Sequence, residues 1–255
     1  MRALRIGWRC ARLGVHLLLG VSIVLTVFRW LSAATRAQLI RWWSRDCLAI
    51  CGVGFDVRDL GGANWDGKGL GGCLVVANHV SWLDIVVLNA VRPMHFIAKS
   101  EIRGWPVLGT LTVSTGTIFI ERGRRHAVHD VIRKMVGQMR AGTVCAVFPE
   151  GTTSDGRGLL PFHANLIEAA LEAQAPVLPL AVRYLDHEQP SVRAAYYGED
   201  TLIGSVARVL GAPGLVVHVR IGAALLPEPG MTRHALADRA HAAVGAMIGL
   251  SSTGV

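Results

Sequence analysis

Lysine is nearly absent from this 255-residue chain: Lys68, Lys99 and Lys134 are the only ones, and arginine supplies the rest of the 26 basic residues. Charge of either sign is scarce, at 17% of residues against 51% hydrophobic ones, and the mean hydropathy is +0.40. That is too apolar for an ordinary cytosolic enzyme and too polar for a chain of many membrane spans. It describes a globular body that touches a bilayer, large enough for a real core. The five cysteines (Cys10, Cys47, Cys51, Cys73, Cys145) form no Cys-x-x-Cys pair and are odd in number, so a disulfide framework is excluded and a reducing compartment indicated. No Gly-x-Ser-x-Gly elbow occurs, which weighs against an α/β-hydrolase serine, and there is no His-Glu-x-x-His zinc motif. Gly62 to Gly69 approaches a phosphate-binding P-loop, but Gly69 stands where the magnesium-binding hydroxyl belongs and a strand follows. Acidic residues are few as well, 18 in all, which leaves a net charge of +8 and a pI near 9.8. The partner is therefore anionic, either nucleic acid or a lipid surface.

The N-terminus favours the lipid surface. Arg2, Arg5, Arg9 and Arg12 precede the apolar run Leu13–Phe28, a little short of the ~20 residues of a straight span. A cleaved signal peptide competes, because small residues follow at Ser32-Ala33-Ala34. Against cleavage, a helical pattern continues through Gln38–Trp43 with aromatic and arginine anchors of the interfacial kind. Arginines flank both sides, so the positive-inside rule assigns no orientation, and a hairpin with both ends cytoplasmic suits the symmetry. Residues 1–51 read as an uncleaved membrane-associated helical hairpin at the cytoplasmic face of the inner membrane. The Arg/Trp stretch Arg29–Arg45 adjoins this run rather than a polar stacking groove, so nucleic acid is not expected as a partner.

Beyond Cys51 the pattern changes. Strands are predicted at 54–58, 72–77, 95–98, 117–120, 144–148, 177–184 and 215–221, with helices at 84–90, 125–140, 164–173 and 232–248. Alternation of this kind predicts an α/β domain over 52–255, a mixed, mostly parallel sheet flanked by helices. Asp186–Thr201 reads as a polar insertion, and His126 and His129 as surface residues.

Chemistry concentrates where predicted strands end. Asn78-His79-Val80-Ser81-Trp82-Leu83-Asp84 follows the strand Cys73–Ala77 and delivers an imidazole to the sheet edge. A turn at Val80–Leu83 would fold Asp84 back onto the ring and fix its tautomer, as a general base for a hydroxyl requires; the plainer reading makes Asp84 a helix cap. Arg122 leaves the strand Thr117–Ile120 as a candidate anion clamp, or as a plain surface arginine. Phe148-Pro149-Glu150-Gly151-Thr152-Thr153-Ser154 hands over a glutamate, a flexible glycine and three hydroxyls, with backbone N–H groups suited to an anion. Ala175-Pro176-Val177-Leu178-Pro179 shapes an apolar wall.

The order Asn-His-x-x-x-x-Asp, Gly-x-x-Phe-Ile-x-Arg, Phe-Pro-Glu-Gly-Thr and Pro-Val-x-Pro resembles the glycerolipid acyltransferase family, which includes the 1-acylglycerol-3-phosphate acyltransferases. The resemblance implies direct acyl transfer from acyl-CoA or acyl carrier protein to a lysophospholipid hydroxyl, without metal, cofactor or covalent enzyme intermediate. It implies His79 as general base, Asp84 as its orienting partner, and Glu150 with the Gly151-Thr152 backbone on the acceptor and oxyanion side. Asn78, which opens the first block, goes with the substrate-binding residues; Lys99 matches a family lysine associated with the acceptor phosphate, and Arg122 would act with it. One departure stands out: many lysophosphatidate acyltransferases have Glu-Gly-Thr-Arg-Ser where this chain has Glu150-Gly151-Thr152-Thr153-Ser154-Asp155-Gly156. The missing guanidinium removes a charge-assisted contact of roughly 1.5–3 kcal/mol, and the Thr-Thr-Ser-Asp-Gly form resembles that of acyltransferases acting on lyso-ornithine lipid. Lysophosphatidate is the leading expected acceptor, with lyso-ornithine lipid close behind. A lipid-binding module without catalysis would require a broken His/Asp pair, and here both residues are present.

Overall fold

The structure is a computed structural model that describes residues 2–62, 71–121 and 125–249. Arg122 and most of the Gly62–Gly69 stretch lie outside the described residues. Two helices open the chain, α1 (Arg2–Thr26) and α2 (Ala33–Cys51), joined by a 3₁₀ turn at Phe28–Trp30. The small residues that read as a possible cleavage site are a helix start: the Ser32 hydroxyl accepts the Thr35 N–H at 3.1 Å and caps α2. Gly52, in the left-handed region at φ 69°, ends the helix and turns the chain into the sheet.

The order continues β1 (Gly54–Asp59), β2 (Leu74–Ala77), α3 (Leu83–Val91), β3 (His95–Lys99), α4 (Leu108–Ser114), β4 (Ile118–Ile120), α5 (Arg125–Arg140), β5 (Cys145–Val147), α6 (Glu168–Ala173), β6 (Val177–Asp186), β7 (Gln189–Pro190), α7 (Leu202–Gly211), β8 (Leu215–Ile221) and α8 (Arg233–Met247). The sheet runs β1-β8-β6-β2-β5-β3-β4, with β7 paired to β6. Along that path only β6–β8 is antiparallel. This is the mixed, mostly parallel sheet expected. The central β2 is buried at every position, as an unbroken apolar run covered on both faces must be. Cys73, Val75 and Ala77 face one layer with α2, α3 and α7, while Leu74 and Val76 face the other with α5, α6 and α8. On α5 the stripe Val131, Ile132, Met135, Val136 and Met139 recurs at helical spacing and meets Leu74 and Val76.

The N-terminal helices are bound closely to this body. Cys47, Leu48 and Cys51 of α2 belong to the main core. Arginines that flank the apolar run serve as clamps on helix ends: Arg9 Nη1 donates to Leu210 O and Ala212 O, both at 2.9 Å, at the end of α7, and Arg45 Nε donates to Ala90 O at the end of α3. Among the described residues α1 is the one helix long and apolar enough to cross a membrane, by length and composition, and little of it is buried. Trp8, Leu18, Leu19 and Leu25 of α1, Trp30 after it and Trp42 of α2 are all more than half exposed.

Two helices escape the sequence reading. α7 lies just past the polar insertion, in a ten-residue stretch with glycines at 204 and 211, too short for a persistent period. α4 is seven residues rich in threonine and valine, and starts after Val107 at φ 65°.

Candidate active site

In an open parallel sheet the carboxyl ends of the strands face the crevice where ligands bind. Here β4, β3, β5 and β2 are consecutive neighbours and parallel. The residues that follow each of them therefore emerge along one edge: Glu121, Lys99 with Ser100, Phe148 to Gly151, and Asn78 to Asp84. Four blocks scattered over the sequence become one row.

At the end of β2 the chain turns sharply and α3 begins at Leu83, so Asp84 sits in the first helical turn and looks back. Its Oδ2 lies 2.8 Å from His79 Nδ1 and also accepts the N–H groups of Val80 (2.7 Å) and Ser81 (2.9 Å). Its Oδ1 accepts the Tyr184 hydroxyl at 2.7 Å. Asp84 is fully buried, and the two sequence readings merge: the carboxylate gathers the backbone before the helix and holds the imidazole with it. With Nδ1 held against a carboxylate, the ring's proton belongs on that nitrogen and Nε2 is left as the acceptor. The His79 side chain is 19% exposed, enough for a substrate to reach it. Its ring stacks on Phe148 at 4.0 Å between centroids and 10° between planes, which fixes its second torsion.

The remaining expected residues divide. Asn78 faces the sheet: its side chain donates to Val182 O (2.9 Å) and accepts Val182 N (2.7 Å), extending the β2–β6 pairing past the strand end. Glu150 is buried too, with Oε1 accepting His79 N at 2.6 Å and Oε2 accepting Leu160 N at 3.0 Å. Burial raises its carboxyl above the usual range, and the two amides pull it part of the way back. Both oxygens are engaged with backbone, which ties the His79 amide to the far end of the 150–160 loop. Gly151 takes φ 71° and its N–H donates to Phe148 O; Thr152 beside it is exposed. Lys99 is exposed at the end of β3. Arg122, the expected partner of Lys99, is not among the described residues.

Glu150→Gln is expected to be costly despite its small size. The amide keeps one acceptor but turns an NH₂ group towards either His79 N–H or Leu160 N–H. A stability loss of roughly 1–3 kcal/mol follows from the unmade bond, read as a lowered midpoint in chemical denaturation, with a fall in turnover as His79 shifts. An unchanged midpoint would mean that the carboxylate does not hold the loop.

Three contributors went unread in the sequence. Tyr184 is one hundred residues away from Asp84; burial and the Asp84 charge hold its phenol well above the usual range, so it remains a donor. The only signal was a hydroxyl at an inward position of a strand whose other inward residues are apolar. Ser154 donates its N–H to His79 O at 2.9 Å, and Phe148 supplies the stacking surface, both inside a block singled out for other reasons.

Comparison with known proteins agrees with this arrangement. The Acyltransferase family profile matches residues 67–183. The lyso-ornithine lipid O-acyltransferase of Pseudomonas aeruginosa is 37% identical over 210 residues, covering 82% of this chain and 78% of that one. The 1-acyl-sn-glycerol-3-phosphate acyltransferase of Neisseria meningitidis serogroup B is 37% identical over 177 residues, 69% of each. The crystal structure of the 1-acyl-sn-glycerophosphate (LPA) acyltransferase PlsC from Thermotoga maritima shares the fold, with a TM-score of 0.68 over 97% of this chain and 96% of that one, at 20% identity. A histidine held by a buried aspartate at the carboxyl edge of the sheet, and relatives of this extent, make the chain a lysolipid O-acyltransferase that belongs to the acyltransferase family.

Proposed function

We propose that this enzyme transfers a fatty acyl group from acyl-CoA or acyl carrier protein to the hydroxyl of a lyso-ornithine lipid. His79 Nε2 takes the hydroxyl proton as the oxygen attacks the thioester carbonyl. The tetrahedral intermediate then expels the thiolate, which leaves as thiol with the proton carried by the imidazolium. Asp84 holds the ring in its tautomer and faces the imidazolium charge at 2.8 Å. The Gly151 N–H is engaged with Phe148 O, which makes the Thr152 N–H the donor this turn offers to an oxyanion. A thioester already has a good leaving group, so base activation and positioning suffice.

The observation that carries the acceptor is the third block. Thr153 stands where many lysophosphatidate acyltransferases place arginine, and among the described residues the nearest arginine in sequence, Arg157, does not take over: it is 76% exposed and turned to Asp155, 4.0 Å away. The relative named for lyso-ornithine lipid also aligns over more of the chain than the Neisseria relative, 82% against 69%. Lysophosphatidate is the second reading, favoured by Lys99 at the end of β3. Residues 1–51 anchor the protein at the cytoplasmic face of the inner membrane, with the exposed tryptophans and leucines of α1 and α2 in the interface. Their apolar surroundings support lipid, not nucleic acid, as the partner surface.

The test is competition. Full-length protein in vesicles receives acyl-CoA with equimolar lyso-ornithine lipid and lysophosphatidate, and products are separated by mass. The ornithine product is expected to dominate. Exclusive formation of phosphatidate would replace this reading with the second one.

A further inference from the structure

Next to the site lies a narrow cleft, open to solvent, whose enclosed part has room for little more than a water molecule and which the acyl-transfer step does not use. Its walls are Val80, the 155–157 turn, Val182 to Tyr184 of β6, and the 190–192 stretch after the β6–β7 hairpin. It adjoins the reacting histidine through the chain on two sides. Val80 follows His79, and Asp155 follows Ser154, whose N–H is bonded to His79 O. Gly156, at φ 74°, packs tightly under Val80; a Cβ there would lie 3.1 Å from the valine methyls.

Three charged residues line this cleft, and none is firmly neutralised. Arg183 is half-buried and makes no hydrogen bond or ion pair with any described residue; its guanidinium reaches solvent, with Nη1 on the side of Gly249 just past the end of α8. By strand alternation it projects on the same sheet face as Ala181, which packs with Leu159 of the 154–160 loop. Asp155 uses Oδ1 to accept the Arg157 N–H at 2.9 Å, while its Oδ2 has only the long 4.0 Å approach of the Arg157 guanidinium. The cleft thus presents an available cation and an available anion together. A phosphate monoester carries negative charge alone and would meet the Asp155 carboxylate unfavourably. A head group with one carboxylate and one ammonium meets both demands.

We propose that this cleft is the head-group subsite of the acceptor and takes a zwitterionic amino acid: Arg183 forks onto the carboxylate of the ornithine head group and Asp155 Oδ2 accepts from its side-chain ammonium. The inference rests on the ornithine reading of the acceptor given above. It makes Asp155 and Arg183 specificity residues, and it accounts for an aspartate following the serine of the third block.

The experiment uses the full chain in vesicles with acyl-CoA and three synthetic lysolipids: an ornithine head group, a norvaline head group that lacks the ammonium, and an ornithine amide that lacks the carboxylate. For the wild-type protein, KM for the ornithine lipid should be roughly tenfold or more below that for either analogue, the size of a charge-assisted contact. Asp155→Asn, which retains an acceptor for the Arg157 N–H, should erase the advantage over the norvaline lipid and keep that over the amide. Arg183→Gln should do the reverse. If either variant raises KM for all three lipids alike, the residue supports the loop and the subsite is refuted. If the wild-type protein acylates the ornithine lipid but does not discriminate among the three, the subsite is refuted while the acceptor stands. Use of lysophosphatidate with none of the three would overturn the acceptor and the subsite together.

Discussion

Replacing His79 by alanine is expected to slow acyl transfer by roughly 10²–10⁴-fold, the loss of general-base help at the attacking hydroxyl. The fold should survive, because the ring lies at the sheet edge, partly exposed, and among the described residues its side-chain hydrogen bond and ring contact are those with Asp84 and Phe148. Purified variant and wild type should therefore melt at similar temperatures and associate equally with vesicles. A variant that keeps more than about a tenth of wild-type turnover would remove His79 from the role of base, since even the weakest general-base contribution exceeds that.

Asp84→Asn should be as damaging to turnover and more damaging to stability. The carboxylate accepts from four donors: the His79 ring, the amides of Val80 and Ser81, and the Tyr184 hydroxyl. An asparagine that keeps its oxygen towards the ring and amides turns its NH₂ group towards Tyr184, whose hydroxyl loses its carboxylate acceptor. The flipped amide sets a donor against three donors, which is worse. In either orientation the negative charge facing the imidazolium is lost. Turnover is expected to fall roughly 10²–10⁴-fold, with a loss of about 1.5–3 kcal/mol of stability from a buried charged hydrogen bond. Near-normal turnover with lowered stability would reduce Asp84 to a backbone organiser at the start of α3.

What could be read in the sequence was whatever depends on neighbours along the chain. Apolar runs ending in proline, glycine or a polar pair marked β2, β5 and β6 to within a few residues, and the five-residue spacing from His79 to Asp84 was enough to predict the fold-back. What could not be read depends on partners far away. Asn78 looked like a substrate ligand because it opens the motif; its pairing with Val182 requires knowing that β6 lies beside β2. Glu150 is expected on the acceptor and oxyanion side by resemblance; that its carboxylate accepts two backbone amides is not legible, because the donors are 71 and 10 residues distant. The N-terminal arginines looked like membrane-flanking charges, and Arg5 and Arg9 close the end of α7, a helix whose short period left no trace.

The most direct test of the central claim is to follow both halves of the transfer at once. Full-length protein in vesicles is given acyl-CoA and a lysolipid, and released thiol is measured alongside the mass of the lipid product. One thiol per acylated lipid, no thiol release without acceptor and both products slowed in step by roughly 10²–10⁴-fold with His79→Ala is the expected result. Thiol released without acylated lipid, at a rate that the acceptor does not alter, would show a thioester hydrolase and contradict the account.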